Sequence, residues 1–514
     1  MPTEPSIGFA AVEDAATADR CVLAEGPEHA VPADRDTGMP VRRIGLEQEF
    51  FLVDRTGEIS DLAEYFLRRC WEAAELEGLD PRCFKPECAK HLLEVTTPPS
   101  ASFGELARNY LRYLRFAIEV GSKTGLELYP LGTYPLPIKP EIRDDPSYDV
   151  QARTLGHDRF LHAGRSAGAH LHLELPAGTV WPDVKTALGA PLAAKEELLN
   201  LYNLATALDP ALVALTRACP FYEGQAVDFA ARTAYYRGML GSNGLYANLQ
   251  EVGALSAYAT DVKDFVALQE KRYAAWFAAM DCAGVDRRVF ASTSANLRRA
   301  SWNPIRLSPY GTVEIRSMDA NFPEVVLAVC ALVCTAVDRI RHEQLRVRTS
   351  WQVRTLEVDG DRLLVPEFSY LSDELLEAAV TRGVLDDRIK AYLDSLIKFV
   401  GAYIAQPEFV EALGCSGEGY KSTELDVLRS MSPVENVVSH GQGLHLVRRS
   451  CRRLREQTFF LRHRCRGGSL TPERTIVKSS RGVSGADRHG VRSGFRRKLR
   501  PAASSGEEST ETRS

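Results

Sequence analysis

The hydrophobic pattern divides the chain into short strand-like and longer helix-like stretches. Apolar runs and apolar–polar alternation mark strands at residues 44–54, 92–97, 169–175 and 312–318. Residues 355–365 alternate on both sides of Asp359-Gly360, a hairpin signal. Helical stretches fall at 61–77, 103–124, 191–205, 211–218, 262–279, 324–343 and 372–404, the last with a break near Gly383. Pro98-Pro99, the prolines from 135 to 140, and Pro220 punctuate the pattern. Strands and helices are mixed without a regular βαβ rhythm and without a repeat. The expected fold class is α+β, with a largely antiparallel sheet.

The two ends differ from this body. Residues 1–40 are rich in Ala, Pro, Glu, Asp and Thr without periodicity, and read as a disordered leader. Order is expected over 41–446. From residue 447 to 514 there are 18 Lys/Arg against 6 Asp/Glu, and the segment reads as a basic, mostly disordered tail. The rest of the chain carries 45 against 62, so an acidic body is joined to a basic tail. A solvated tail is the simplest role. Arg clusters also attract phosphates, so contact with anions is the functional alternative, although nucleic acid is not the expected partner.

Composition narrows the class without choosing a function. The 514 residues are 45% hydrophobic and 25% charged, enough for a large core in one big domain or two to three ordinary ones. Eleven cysteines, an odd number with no CxxC pair, argue against a disulfide framework or a zinc ribbon. Reduced thiols in the cytosol are the simplest reading. The first residues lack the basic and apolar regions of a signal peptide. The longest largely apolar stretch, 325–337, has 13 residues and ends at Asp338-Arg339. A bilayer needs roughly 20, so no membrane span is expected.

The candidate chemistry lies inside the strands. In IGLEQEFFLVD, Glu47 and Glu49 are two apart and project from one strand face. Two neighbouring carboxylates repel and lose hydration unless Arg or a hard metal ion compensates, or unless the face is open to solvent. The device recurs. His170, His172 and Glu174 share a face of AGAHLHLEL, and Glu314 and Arg316 share a face of TVEIRSMD. Glu94 lies in an apolar strand and Glu87 seven residues before it. That odd spacing needs a bend if both reach one site. One sheet with a polar face would collect all four strands. Glu oxygens with one or two imidazoles suit Mg²⁺ or Mn²⁺ better than structural zinc. Such ions with Arg nearby are what a site handling ATP phosphates needs. No GxxxxGK[ST] and no protein-kinase motif set is present.

Six motifs, GLEQEFFLVD, KPECAKHLLEVTTPP, LYPLGTYP, AGAHLHLEL, CPFYEGQAVDFAARTAYYR and IRLSPYGTVEIRSMD, occur in this order. Together they resemble the glutamate–cysteine ligase type 2 family, carboxylate–amine ligases related to the glutamine synthetase fold. The resemblance covers about 41–345, with compatible helical sequence to about 445. It implies a curved antiparallel sheet with a polar metal- and ATP-binding face, backed by helices. It implies ATP and Mg²⁺ (or Mn²⁺), glutamate, and cysteine or another amine, with γ-glutamylcysteine as product through an acyl phosphate. It also implies a possible homodimer and a cytoplasmic setting. By resemblance, Glu47, Glu49, Glu87, Glu94, His170 and Glu314 hold metal, with His172 less closely matched. Arg316 and Arg306 serve the phosphates, and Arg316, Arg306 and Arg232 are the catalytic arginines.

The sequence departs from the family pattern at two places. Tyr134 stands where the GTHP turn has His, and Glu174 follows the HxHx segment where Gly is common. Both are expected to bear on the acceptor amine, with Tyr134 a candidate for a pocket wall. Competing readings are a ligase for another carboxylate or amine, a metallohydrolase built on His170 and His172, and a nucleotide-binding protein without turnover. Tyr235, Tyr236 and Cys219 are expected to pack, and His91, His157 and His162 have no constellation of their own.

Overall fold

The computed structural model describes residues 42–180, 183–294, 302–404, 407–414, 419–431 and 436–467. The expected leader at 1–40 lies outside the described residues. So does the chain beyond 467.

Seven strands form the central sheet. These are β1 (Ile44–Asp54), β2 (Phe84–Pro86), β3 (Leu92–Thr96), β4 (Leu126–Tyr129), β5 (Gly168–Glu174), β8 (Ile305–Leu307) and β9 (Thr312–Asp319). Between β5 and β8 the chain makes a two-strand ribbon, β6 (Phe221–Tyr222) with β7 (Gln225–Ala226). The sheet runs β2-β3-β1-β5-β9-β8, and β4 pairs with the far end of β1. Every pairing in it is antiparallel. A second sheet holds β10 (Arg346–Ser350), β12 (Arg362–Pro366) and β11 (Glu357–Asp359). The expected hairpin is β11–β12, and β10 adds to it in parallel.

Period-two alternation separates the two sheet faces. Leu46, Phe50 and Leu52 of β1 enter the main core with Leu106, Tyr110 and Leu114 of the Phe103–Thr124 helix. That helix starts at Ser102, whose side chain accepts from Glu105 N, and stops at left-handed Gly125. Gln48 is polar but also faces the helices, where it donates to Asn321 O at 2.8 Å and accepts from Tyr110. Phe51 and Val53 point the other way into a second core with Tyr129 and Tyr134. Glu47 and Glu49 share that second face by alternation.

From Leu198 onward the Leu192–Thr216 helix is largely apolar and buried on nearly all sides, the composition of a core helix. It is long and apolar enough to cross a bilayer, yet 94% of its apolar window is buried inside the protein. Two helices, at 191–205 and 211–218, are expected here. The structure corrects this to one helix with Pro210 inside. Asp209 at that point is bound by Arg237, with both contacts at 2.8 Å, and by the Ser317 hydroxyl.

The boundary at 446 is also corrected. The helix His440–Gly467 runs through it. Val447, Cys451, Leu454, Thr458 and Leu461 are buried along one face, spaced four and three apart. Arg448 donates to Thr56 O at 2.6 Å, and Arg453 pairs with Glu324 at 2.8 Å. Arginines between the apolar positions hide this stripe in a composition count.

Candidate active site

Strand register draws a polar line across the sheet. Lys85 pairs with Glu94, and Glu94 with Glu49. Next along, Glu47 pairs with His170. His172 then pairs with Glu314, and Glu314 with Arg306. Six strands thus each contribute a charged or imidazole side chain to one region. Glu87 joins from the loop between β2 and β3, closed by Glu87 N–H to Leu92 O at 3.4 Å. This is the bend that the seven-residue spacing required.

These groups are withdrawn from water. Glu47 is 7%, Glu94 5%, His170 1% and Glu314 1% exposed. Their ligand atoms fall into three sets whose members lie within 4.8 Å of one another: Glu47, His172 and Glu314; Glu47, Glu94 and His170; Glu49, Glu87 and Glu94. All six residues expected to hold metal are therefore brought together, and His172 belongs with them. Composition favours a hard cation, because the donors are carboxylate oxygens with two imidazoles. A second observation supports the fit. Nε2 of His170 and of His172 are buried and have no hydrogen-bond partner among the described residues. They face carboxylate oxygens of Glu49 and Glu47 at 3.6 and 3.3 Å, without hydrogen-bond geometry. Buried nitrogens left in this way have the arrangement of ligands to a shared cation.

The electrostatics follow from who faces whom. Burial opposes charge on Glu47, but Lys85 and His172 hold its carboxyl well below the usual range. Burial opposes charge on Glu314 too, but Arg306 and Arg316 depress it. Burial and the negative neighbours Glu49 and Glu94 raise Glu87. Burial and Glu47 push Glu94 up to about 8, against the pull of Lys85. Burial and Arg316 lower His170, while Glu47 and Glu314 overcome burial and raise His172.

The arginines sit at one edge of this cluster. Arg306 grips Glu314 at 2.7 and 3.1 Å, and Arg316 reaches the same carboxylate at 2.6 Å. Register shifts between β5 and β9 at Ala169/Leu171, so β9 carries one residue more than β5 opposite His170. Such a bulge re-aims the local side chains. Arg316 Nη1 lies 3.3 Å from His170 Nδ1. Arg232 comes from the helix Ala231–Arg237 and donates to Arg316 O at 3.3 Å. Arg232, Tyr236, Trp302 and Arg316 line a small recess beside the cluster. Gly168 permits this approach, because a β-carbon there would collide with the Arg232 guanidinium. Its N–H meanwhile donates to Glu49 at 2.6 Å.

Two expectations fail. Tyr134 is 3% exposed in the second core and donates to Gly57 O at 2.7 Å, away from the cluster. Glu174 pairs with Arg43 at the end of β5. Neither residue belongs to the three ligand sets or lines the recess. Sequence reasoning also passed over Lys85, whose ammonium lies 3.3 Å from Glu47 and 3.2 Å from Glu94. Its position two residues before Glu87 was the available signal. Tyr236, expected to pack, lines the recess.

Comparison with known proteins agrees with the motif order. The model of glutamate–cysteine ligase family 2 matches residues 43–369. A protein of Mycolicibacterium vanbaalenii, provisionally named glutamate–cysteine ligase 2-1, is 25% identical over 358 residues, 68% of this chain and 80% of that one. One of the same name from Mycolicibacterium smegmatis is 26% identical over 413 residues, 74% of this chain and 94% of that one. A crystal structure of a glutamate–cysteine ligase from Francisella tularensis in complex with AMP overlaps 82% of this chain and 92% of its own, at 13% identity. Its TM-score of 0.45 is too low to establish a common fold. With the family match spanning the whole polar line from Glu47 to Arg316, the chain belongs to glutamate–cysteine ligase family 2 and is a ligase.

Proposed function

We propose that the chain is an ATP- and Mg²⁺-dependent carboxylate–amine ligase that joins the γ-carboxylate of glutamate to the amine of cysteine. The observation that carries this reading is the polar line itself. Five buried or half-buried glutamates and two imidazoles converge beside Arg306 and Arg316. Glu47, Glu49, Glu87, Glu94, His170, His172 and Glu314 would hold the divalent ions. Bound ions would neutralise phosphate charge and orient the triphosphate.

In this reading a glutamate carboxylate oxygen attacks the γ-phosphorus of ATP, and the bond to the β-phosphate oxygen breaks to release ADP. The cysteine nitrogen then attacks the acyl carbon, phosphate leaves with the bonding electrons, and the nitrogen loses a proton. Arg316 and Arg306 would balance negative charge on the transferring group. Arg232 and Arg316, both lining the small recess, would pair with a substrate carboxylate, since guanidinium binds carboxylate in a fixed fork.

Release of ADP by the purified protein with ATP, Mg²⁺ and glutamate, with and without cysteine, tests the proposal when products are identified by mass spectrometry. ADP that requires both amino acids, with γ-glutamylcysteine formed, is the expected result. Turnover only with another amine or carboxylate would keep the ligase chemistry and reassign the substrate. Bound Mg²⁺–ATP without turnover on any amine would reduce the protein to a nucleotide-binding role. Glu47→Gln is expected to abolish ADP release with the circular dichroism spectrum unchanged.

A further inference from the structure

We propose that the Lys85 ammonium is a cation built into the centre, filling the gap between Glu47 and Glu94 in place of a metal ion, so that two divalent ions bind rather than three. This rests on reading the cluster as a metal centre. The three ligand sets overlap like links. Glu47 belongs to the first and second, and Glu94 to the second and third. Lys85 Nζ touches Glu47 Oε1 at 3.3 Å and Glu94 Oε1 at 3.2 Å, the two carboxylates of the middle set.

Lys85 is delivered there by backbone geometry. It lies on β2 as the register partner of Glu94, so its stem starts one strand from the gap. Its side chain is 19% exposed, and Nζ stands 5.9 Å from the Tyr310 ring centroid. A divalent ion bound in the middle set would sit about 2.0–2.6 Å from one oxygen of each of the same two carboxylates. An ammonium already held by both of them would repel it at such a distance. The outer two sets stay open, and His170, a member of the middle set alone, then gives up the ligand role that the metal reading assigns it. Five carboxylates there face three permanent cations, Lys85, Arg306 and Arg316. Removing Lys85 takes the positive charge from between Glu47 and Glu94, and so opens the middle set to a further ion.

The test is a titration of metal-free full-length protein with Mn²⁺, without nucleotide, with free Mn²⁺ followed by electron paramagnetic resonance. The wild type is expected to bind two ions per chain, Lys85→Met three, and Lys85→Arg two. If Lys85→Met does not fold without metal, the wild-type stoichiometry and Lys85→Arg still decide the question. Three ions in the wild type, or the same number and affinity in wild type and Lys85→Met, would overturn the role of Lys85 and leave the metal centre standing. No Mn²⁺ bound by folded wild type would instead overturn the metal centre itself.

Discussion

Glu49 and Glu94 stand directly opposite each other on neighbouring antiparallel strands. Like charges in that position destabilise a sheet. One of the two responds by holding its proton: burial and Glu47 raise Glu94 to about 8, from an ordinary 4.5. Between those values the folded protein keeps a proton that the unfolded chain has released. Stability therefore falls as pH rises through the window. In EDTA, Glu94→Gln should melt above the wild type, and the gap should widen from pH 6.5 to 8.5. Differencing the two proteins cancels the histidines. Mg²⁺ at pH 8.5 should raise the wild-type melting temperature more than that of the variant. A gap independent of pH would refute the account.

Glu314 is held by two arginines, one from its own strand and one from β8. Removing a buried member of such a network leaves charges unpaired, which costs about 3–5 kcal/mol. Arg306 and Arg316 keep some access to water, with side chains 16% and 14% exposed, so the lower end of that range applies. Glu314→Ala should lower the urea midpoint accordingly, and Mn²⁺ should fail to restore it. Arg316→Lys keeps a charge and loses the fork. It should retain most of the stability and lose about 10²–10³ in the rate of ADP release, the scale of losing a transition-state donor. Stability and turnover falling together in Arg316→Lys would make Arg316 a structural partner only.

Gly168 is small because Arg232 lies against it. Gly168→Ala must move either the strand or the guanidinium. The strand is held by β1 and β9 on both sides, so Arg232 should move. If Arg232 holds a substrate carboxylate, KM for the amino-acid substrate should rise about tenfold or more, the cost of losing one charge-assisted contact, with KM for ATP little changed. Equal rises in both constants would place the damage in the strand as a whole.

Much of this site was legible in the sequence. Period two alone puts Glu47 with Glu49, His170 with His172 and Glu314 with Arg316, and register then lays the pairs side by side. Glu87 was legible only as a requirement for a bend, which the β2–β3 loop supplies. Lys85 was not, because a lysine two residues from a glutamate is ordinary on a surface and its burial comes from tertiary packing. Tyr134 misled through its motif. A turn residue can face the core as easily as a pocket, and its neighbours Phe51 and Tyr129 decide for the core. The single helix through Pro210, where two helices are expected, shows neighbours around a buried helix outweighing a local break.

The largest misreading, the boundary at 446, yields the last prediction. Arg-rich composition hid an apolar stripe whose members pack against the Phe103–Thr124 helix and β4. Leu454 is 1% exposed in the main core. Truncating a buried leucine to alanine costs about 2–5 kcal/mol through lost transfer energy and the cavity left behind. Leu454→Ala should therefore lower the denaturant midpoint by that amount, whereas Arg452→Ala, at an exposed position on the same helix, should change it little. A chain ended at residue 446 would lose Val447, Cys451, Leu454 and Leu461 together and should not fold to the native melting temperature. Should the shortened chain and Leu454→Ala both melt like the full-length protein, the stripe would contribute nothing to the fold and the catalytic body would end where composition placed it.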